Sequence, residues 1–260
     1  MIVYEYPLNE RIRTWLRLED LFDKALFFLR AGDPRSHHAG LLAIFELVDV
    51  MARPELRSEL LQELERQKSA LDALRSNPAV DAERLNFILG RLGTVLAELH
   101  GQTGKLGQHI RDNEWLSGVK SRTGIPGGAC GFDLPGYHHW LNTPSDERTA
   151  DLAQWLGPLL PIRKGVEMVL ELLRESSGKC RYVAEGGVFQ LMLGGRVVQL
   201  LRVSLDNQWP CVPEVSANKY AVNLRFVSLD RQQKSRTYEQ DVEFEMVFCS
   251  LIGSAVQANG

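Results

Sequence analysis

The sequence predicts an α+β protein, with an N-terminal helical bundle domain over residues 1–176 and a twisted antiparallel β-sheet domain over 177–260. Three observations predict it. Apolar side chains recur with a helical period through the first two-thirds of the chain. The period drops from 3.6 to 2 at residues 176–179, SSGK. Beyond that point, alternating segments are separated by the turn signals EGG, LGG and LDRQQKS. With 260 residues and 44% apolar composition, the chain has enough material for one large core or two smaller ones.

Asn9 is placed to cap a first helix, in which Ile12, Trp15, Leu16, Phe22, Leu26 and Leu29 form one stripe. The stop signal AGDP ends it. A second helix is expected over about 36–52, rich in Leu, Ile and Val. Pro54 suits the first turn of a third helix, whose stripe is Leu56, Leu60, Leu64, Leu71 and Leu74. Asn77-Pro78 breaks the pattern, and Asp81 caps a fourth helix bearing Leu85, Ile88, Leu89, Leu92, Leu96 and Leu99. A short amphipathic piece follows at 107–122, then a joint at 123–144 containing IPGGACGFDLPGYHHWL. Ser145 reads as the cap of a helix ending near Trp155, and Pro161 restarts the chain as IRKGVEMVLELLRES. Packed antiparallel, these stripes make a bundle. In the last third, Leu201, Val203 and Leu205 alternate with Arg202 and Ser204. Tyr220, Val222, Leu224 and Phe226 alternate with Asn223 and Arg225; Val242, Phe244, Met246 and Phe248 alternate with Glu243 and Glu245. Half-buried strands of a single sheet account for this most economically. The tail after Cys249 is small and weakly patterned, and is expected to fray.

Composition excludes several function classes. Thirty Lys and Arg against 33 Asp and Glu leave a net charge of -3, without the basic excess of a nucleic-acid binder. The longest apolar runs are too short to span a bilayer, and the first residues lack the apolar core of a secretory signal. Four scattered cysteines without a C-x-x-C pair suit free thiols in a reducing compartment. A cytoplasmic protein is expected.

Catalytic patterns are tested and found wanting. Cys130 has His138 and His139 nearby in sequence, yet lacks a local cysteine-hydrolase signature; a buried apolar role for the thiol is the simpler reading. The pairs His37-His38 and His138-His139 are adjacent, which sends their rings in different directions, so no metal is expected. GQTGKL at 101–106 lacks both the glycine spacing and the Ser/Thr of a phosphate loop. S-x-x-K occurs twice, at Ser117/Lys120 and Ser216/Lys219, without its partner motifs. No cofactor is implied and no enzyme is expected.

Two long stretches remain, YPLNERIRTWLRLE and SRTGIPGGACGFDLPGYHHWL, supported by LLAIFELVDVMARPELRSELLQELERQ, VEMVLELLRES, LLRVSLD and NKYAVNLRFVSLD. Together they resemble the ZapD family of Z-ring-associated cell-division proteins, in the same order and over nearly the whole chain. The resemblance implies a non-enzymatic homodimer, with much of its dimer contact in the helical domain. It implies binding to the C-terminal tail of FtsZ, bundling of FtsZ filaments, and a place at the mid-cell division ring. It also implies where contact is made. Arg17 corresponds to the family's first-helix arginine, with a surface ion pair to Glu10 or Asp20 as the alternative. His138 matches the family's histidine after FDLP, with a structural hydrogen bond as the alternative. Lys120 and Arg122 add charge just before IPGG, and Arg202, Lys219 and Arg225 are expected on one polar face of the sheet. Glu114 departs from the pattern, standing where a basic residue is expected. Two rivals to FtsZ cross-linking stay open: a cytosolic enzyme using Cys130 and His138, and a dimeric adaptor for another peptide.

Overall fold

The computed structural model describes residues 1–176, 178–229 and 236–251. In chain order the elements are β1 (Ile2–Pro7), α1 (Glu10–Ala31), α2 (Pro34–Val50), α3 (Leu56–Asp72), α4 (Ala82–Gly101), α5 (Gln108–Arg111), α6 (Glu114–Thr123), α7 (Pro135–Leu141), α8 (Ser145–Leu156) and α9 (Leu160–Arg174). Then come β2 (Cys180–Ala184), β3 (Val188–Met192), β4 (Leu200–Leu205), β5 (Cys211–Ala217), β6 (Ala221–Ser228) and β7 (Val242–Cys249). An α+β architecture is present, helices first and antiparallel sheets after. The chain divides into two compact units: Met1–Arg13 with Leu170–Gly260, and Thr14–Val169. This differs from the division at 176 and 177 expected from the period change. The first residues belong with the strands, because β1 pairs antiparallel with β4 from Ile2↔Leu205 to Pro7↔Leu200.

Caps at Asn9 and Asp81 start helices where the sequence places them, and Asp33, read only within the stop signal AGDP, supplies another. Asp81 accepts from the backbone amides of Glu83 and Arg84 to open α4, and Asp33 accepts from those of Arg35 and Ser36 to open α2. Asn9 likewise accepts from the Ile12 amide at 2.9 Å to open α1. The leucine stripes are buried: Leu56, Leu60, Leu64 and Leu71 on α3, and Leu85, Leu89, Leu92, Leu96 and Leu99 on α4. Gly165 on α9 lets three helices approach closely. A Cβ there would stand 2.8 Å from Leu60 Cδ2 and 3.1 Å from Leu99 Cδ1. Ser145 is the first residue of α8 rather than its cap, and its hydroxyl donates to the Gly32 carbonyl at 2.8 Å.

The segment 123–144, expected as a joint without regular structure, contains α7. Pro135 fits the first turn, and Tyr137 and Trp140 are buried one helical turn apart. These rings join Trp115 and Trp155 in a cluster with centroids 5.7–6.0 Å apart, and Trp140 Nε1 donates to Asp151 at 2.9 Å. Burial of aromatic area, with one polar handle satisfied, holds this short helix.

Beneath α7 and α8 lies a polar cluster. Arg148 is buried and donates from Nε to His37 Nδ1 at 3.0 Å, and from its terminal nitrogens to the carbonyls of Gly32 (2.9 Å) and Thr143. His37, also buried, must therefore carry its proton on Nε2, which faces the Leu29 carbonyl at 3.2 Å. Burial lowers the His37 pKa, the neighbouring guanidinium lowers it further, and the Leu29 carbonyl and Asp33 oppose them. His38, 2.7 Å from the Tyr137 hydroxyl, is lowered by burial alone. A depressed histidine pKa means that the unfolded chain takes up the proton first. Stability is then complete above the ordinary value of 6.5 and is lost as the pH falls below it. Melting temperature is expected to decline between pH 6.5 and 5, and His37→Gln to flatten that slope; parallel slopes in the two proteins would contradict the assignment.

The β unit contains two sheets, not the single sheet expected. Their orders are β1-β4-β7-β2 and β3-β6-β5, all antiparallel. One core gathers Leu201, Val203 and Leu205 of β4, Val222, Leu224 and Phe226 of β6, and Val242, Phe244 and Met246 of β7. The alternation read from sequence holds for Val222, Leu224, Phe226, Val242, Phe244 and Met246, but Ser204 is buried in β4 and Tyr220 is exposed ahead of β6, and the strands divide between two sheets. A period of two says which side chains point inward, not whether the opposite layer is another sheet. The turn signal LDRQQKS lies outside the described residues beyond Leu229, as do Ser177 of SSGK and the tail 252–260.

Candidate functional site

Four of the expected contact residues lie in the helical unit. Arg17, on the exposed side of α1, lines a cleft with Asp20, Leu21, Lys24, Glu46, Asp49 and Val50. Lys120 on α6 reaches Asp49 of the same cleft and forms an ion pair with it. The structure thus places Arg17 in a cleft whose Asp49 pairs with Lys120. Lys24 pairs with Asp20 at 2.5 Å, so two of the cleft's carboxylates, Asp20 and Asp49, are each held by a lysine. Arg122 is exposed in the last turn of α6, and His138 is exposed on α7 with its ring against Gly131. Among the described residues no hydrogen bond joins Cys130 to His138, and Cys130 is exposed rather than buried as expected.

The three sheet residues do not share one face. Arg202 on β4 is half-buried, with Nε 2.9 Å from Glu5 of β1. Glu5 also receives Arg174 through Nε at 2.9 Å and a terminal nitrogen at 2.8 Å. Arg225 is on β6 of the other sheet and grips Glu214 of β5 at 2.6 Å across the strand pair. Lys219 is in neither strand. It tops the turn between β5 and β6, where Asn218 Oδ1 accepts from the amides of Tyr220 (2.8 Å) and Ala221 (3.0 Å).

Around Lys219 the structure builds a groove of about 500 Å³. One wall is the turn after β3, where Gly194 and Gly195 take φ of 58° and 82° and carry the chain to Arg196. The other wall is the Asn218–Lys219–Tyr220 turn. The walls are tied by the Leu193 amide donating to the Tyr220 carbonyl at 2.6 Å. Leu8, Leu193, Val197 and Val198 make an apolar floor. Lys219 Nζ stands 4.9 Å from the Tyr220 ring centroid, held over its face. Arg196 and Lys219 are the charged residues among the described lining, and no carboxylate opposes them. An apolar floor beneath two cations suits a peptide that carries both carboxylates and apolar side chains. Arg196 and Tyr220 were not expected as site residues. Only the pairing of two turns distant in sequence reveals them.

No group of three or more His, Cys, Asp or Glu side chains able to hold a metal occurs among the described residues. Nor is any described helix long and apolar enough to cross a membrane.

A family model described as ZapD, cell division protein, matches residues 16–225. That stretch includes both the cleft around Arg17 and the groove around Lys219. The chain belongs to the ZapD family of cell-division proteins. A protein named Cell division protein ZapD from Janthinobacterium sp. (strain Marseille) is 49% identical over 96% of this chain and 100% of its own length. ZapD of Nitrosomonas europaea is 49% identical, covering 96% of both chains. ZapD of Aromatoleum aromaticum is 47% identical over 96% of this chain and 98% of its own. A role in cell division follows for this ZapD family member.

Proposed function

We propose that the chain is a non-enzymatic, dimeric cross-linker that binds the C-terminal tail of FtsZ and bundles its filaments in the cytoplasm at the division ring. The observation that carries this reading is the groove at Arg196 and Lys219, whose charge and apolar floor match an acidic, flexible peptide. Family membership directs it toward division. A dimer with one groove per subunit holds two tails at once, and the second capture is then intramolecular, so modest single-site affinity suffices for cross-linking. A face for the second copy is available on α4. There Phe87 is 66% exposed, and nothing lies within 4 Å of a Cβ built at Gly90 or Gly93, which would allow close helix approach.

Sedimentation of FtsZ with GTP tests this. The protein is expected to sediment alone as a dimer, to increase pelletable polymer, and to have no effect on FtsZ lacking its tail. Reversing both groove charges, Arg196→Glu with Lys219→Glu, is expected to weaken tail binding roughly tenfold, each exposed contact contributing about 0.2–1 kcal/mol. An unchanged pelleting curve for that variant removes the groove from the site, and a monomer at working concentration removes the cross-linker.

A further inference from the structure

The four-stranded sheet of the β unit carries a groove of about 740 Å³, lined from β2, the end of β4 and the start of β7. Strand pairing makes one part of it acidic. β4 and β7 are antiparallel with Ser204 opposite Glu245, and the same register carried two positions on sets Asp206 opposite Glu243. Leu201, Val203 and Leu205 belong to the core, so Ser204 and Asp206 take the other face of β4. Like charges opposite one another across two strands repel, and the pair costs stability until a cation lies between them.

The protein's own cations do not fill that place. Arg181 and Lys179 both reach Glu245, at 3.5 Å and 3.6 Å, and three carboxylates in the groove still outnumber them. Among the described residues Asp206 and Glu243 make no ion pair; Asp206 accepts from the Gln208 amide at 3.0 Å, which leaves its charge unmatched. Ser204 points to a ligand independently. It lines the groove at 5% exposure, and among the described residues no hydrogen bond engages its hydroxyl, although buried hydroxyls are ordinarily engaged. Tyr182, Phe189 and Phe244 add a wall of rings with centroids 4.9–5.9 Å apart. Unmatched carboxylates and a free hydroxyl accept from ammonium groups, and ring faces take both cations and methylenes. Two positions along a strand separate the Asp206–Glu243 pair from the Ser204–Glu245 pair, roughly 6.6 Å, which an extended four-carbon diamine spans.

We propose that this groove binds a linear aliphatic polyamine, with one ammonium between Asp206 and Glu243, the next at Ser204 and Glu245, and methylenes between them. The site shares no residue with the groove at Lys219 and does not depend on tail binding. Isothermal titration of the full chain with spermidine at physiological ionic strength tests it, with thermal melting as the check on folding. Asp206→Asn with Glu243→Gln is expected to weaken spermidine binding about tenfold or more, and Ser204→Ala about threefold, without a lower melting temperature. Asp146→Asn with Glu147→Gln, on α8, removes the same charge and is expected to leave binding unchanged. Butylamine, with a single ammonium, is expected to bind at least about tenfold more weakly than spermidine. Equal binding by the two double variants would overturn the site, as would failure of the unsubstituted chain to bind spermidine. Butylamine binding as tightly as spermidine would overturn the two-point arrangement. Trilysine binding more tightly than spermidine, and lost with Asp206→Asn and Glu243→Gln, would assign the groove to lysines of a partner protein and overturn the polyamine.

Discussion

Gly187→Ala is expected to destabilise the β unit by more than about 3 kcal/mol. Gly187 ends the turn between β2 and β3 with φ of 74°, where any side chain costs about 1–2 kcal/mol. The larger cost is steric. A Cβ at this position would lie 2.0 Å from the Tyr238 carbonyl oxygen; the oxygen is backbone and the Cβ is fixed by the backbone, so no rotamer change relieves the overlap. Gly187 and Tyr238 flank the same residue: the Phe226 amide donates to Gly187 O at 2.8 Å, and the Tyr238 amide to Phe226 O at 2.9 Å. Separating them opens the sheet at Phe226, which is fully buried, with its ring centroid 5.2 Å from that of Phe244. Gly186→Ala is the control. Its φ is also positive at 53°, yet the nearest atom stands 3.9 Å away, so only the conformational cost applies. Urea denaturation followed by hydrogen exchange of β-unit amides measures both, and equal losses in the two variants would refute the steric account.

Arg148→Ala is expected to have the largest effect in the helical unit. One guanidinium serves three acceptors: the buried His37 Nδ1 and the half-buried carbonyls of Gly32 and Thr143. Its removal strands His37 Nδ1 and the Thr143 carbonyl, at about 1–3 kcal/mol each, while Gly32 O keeps the Ser145 hydroxyl, and it leaves a void beside α8. Entry of water offsets part of this, and a net loss of about 3 kcal/mol is expected, or about 6–12 °C in melting temperature. Arg148→Lys recovers little, because an ammonium cannot reproduce the divergent fork. A melting temperature within about 2 °C of the unsubstituted protein would show that the three acceptors find other partners.

Much of this fold is legible in the sequence where local chemistry decides the outcome. Asn9 and Asp81 cap because short polar side chains bond the free amides of a first turn wherever they stand. The stripes of α3 and α4 follow from burial on one face, whereas β4 is buried on both and alternates less than its sequence suggests. What escapes is set by partners distant in the chain. MIVYEYP is too short to declare itself a strand without β4, and α7 needs the rings of Trp115 and Trp155 to hold it. The candidate site divides in the same way. Arg17, Lys120 and Arg122 are on helices as read, while His138, expected in a joint, is on α7. Arg202 and Arg225 alternate correctly but are engaged by Glu5 and Glu214 on different sheets, because the sequence does not say which strand lies alongside. Arg196 enters the groove only through the Leu193–Tyr220 bond between two turns.

The pairing of β1 with β4 also has a bearing on biosynthesis. Ile2–Pro7 are synthesised before the described helices, yet their partners at Leu200–Leu205 emerge almost two hundred positions later, after those helices. Thr14–Val169 is contiguous and has all its own residues available early, whereas the other unit must wait for segments on either side of it. Expressing Leu170–Gly260 by itself would leave one border of its four-stranded sheet without a neighbour, inviting strands from other molecules. Supplying the first thirteen residues through a short linker to that fragment would close the gap.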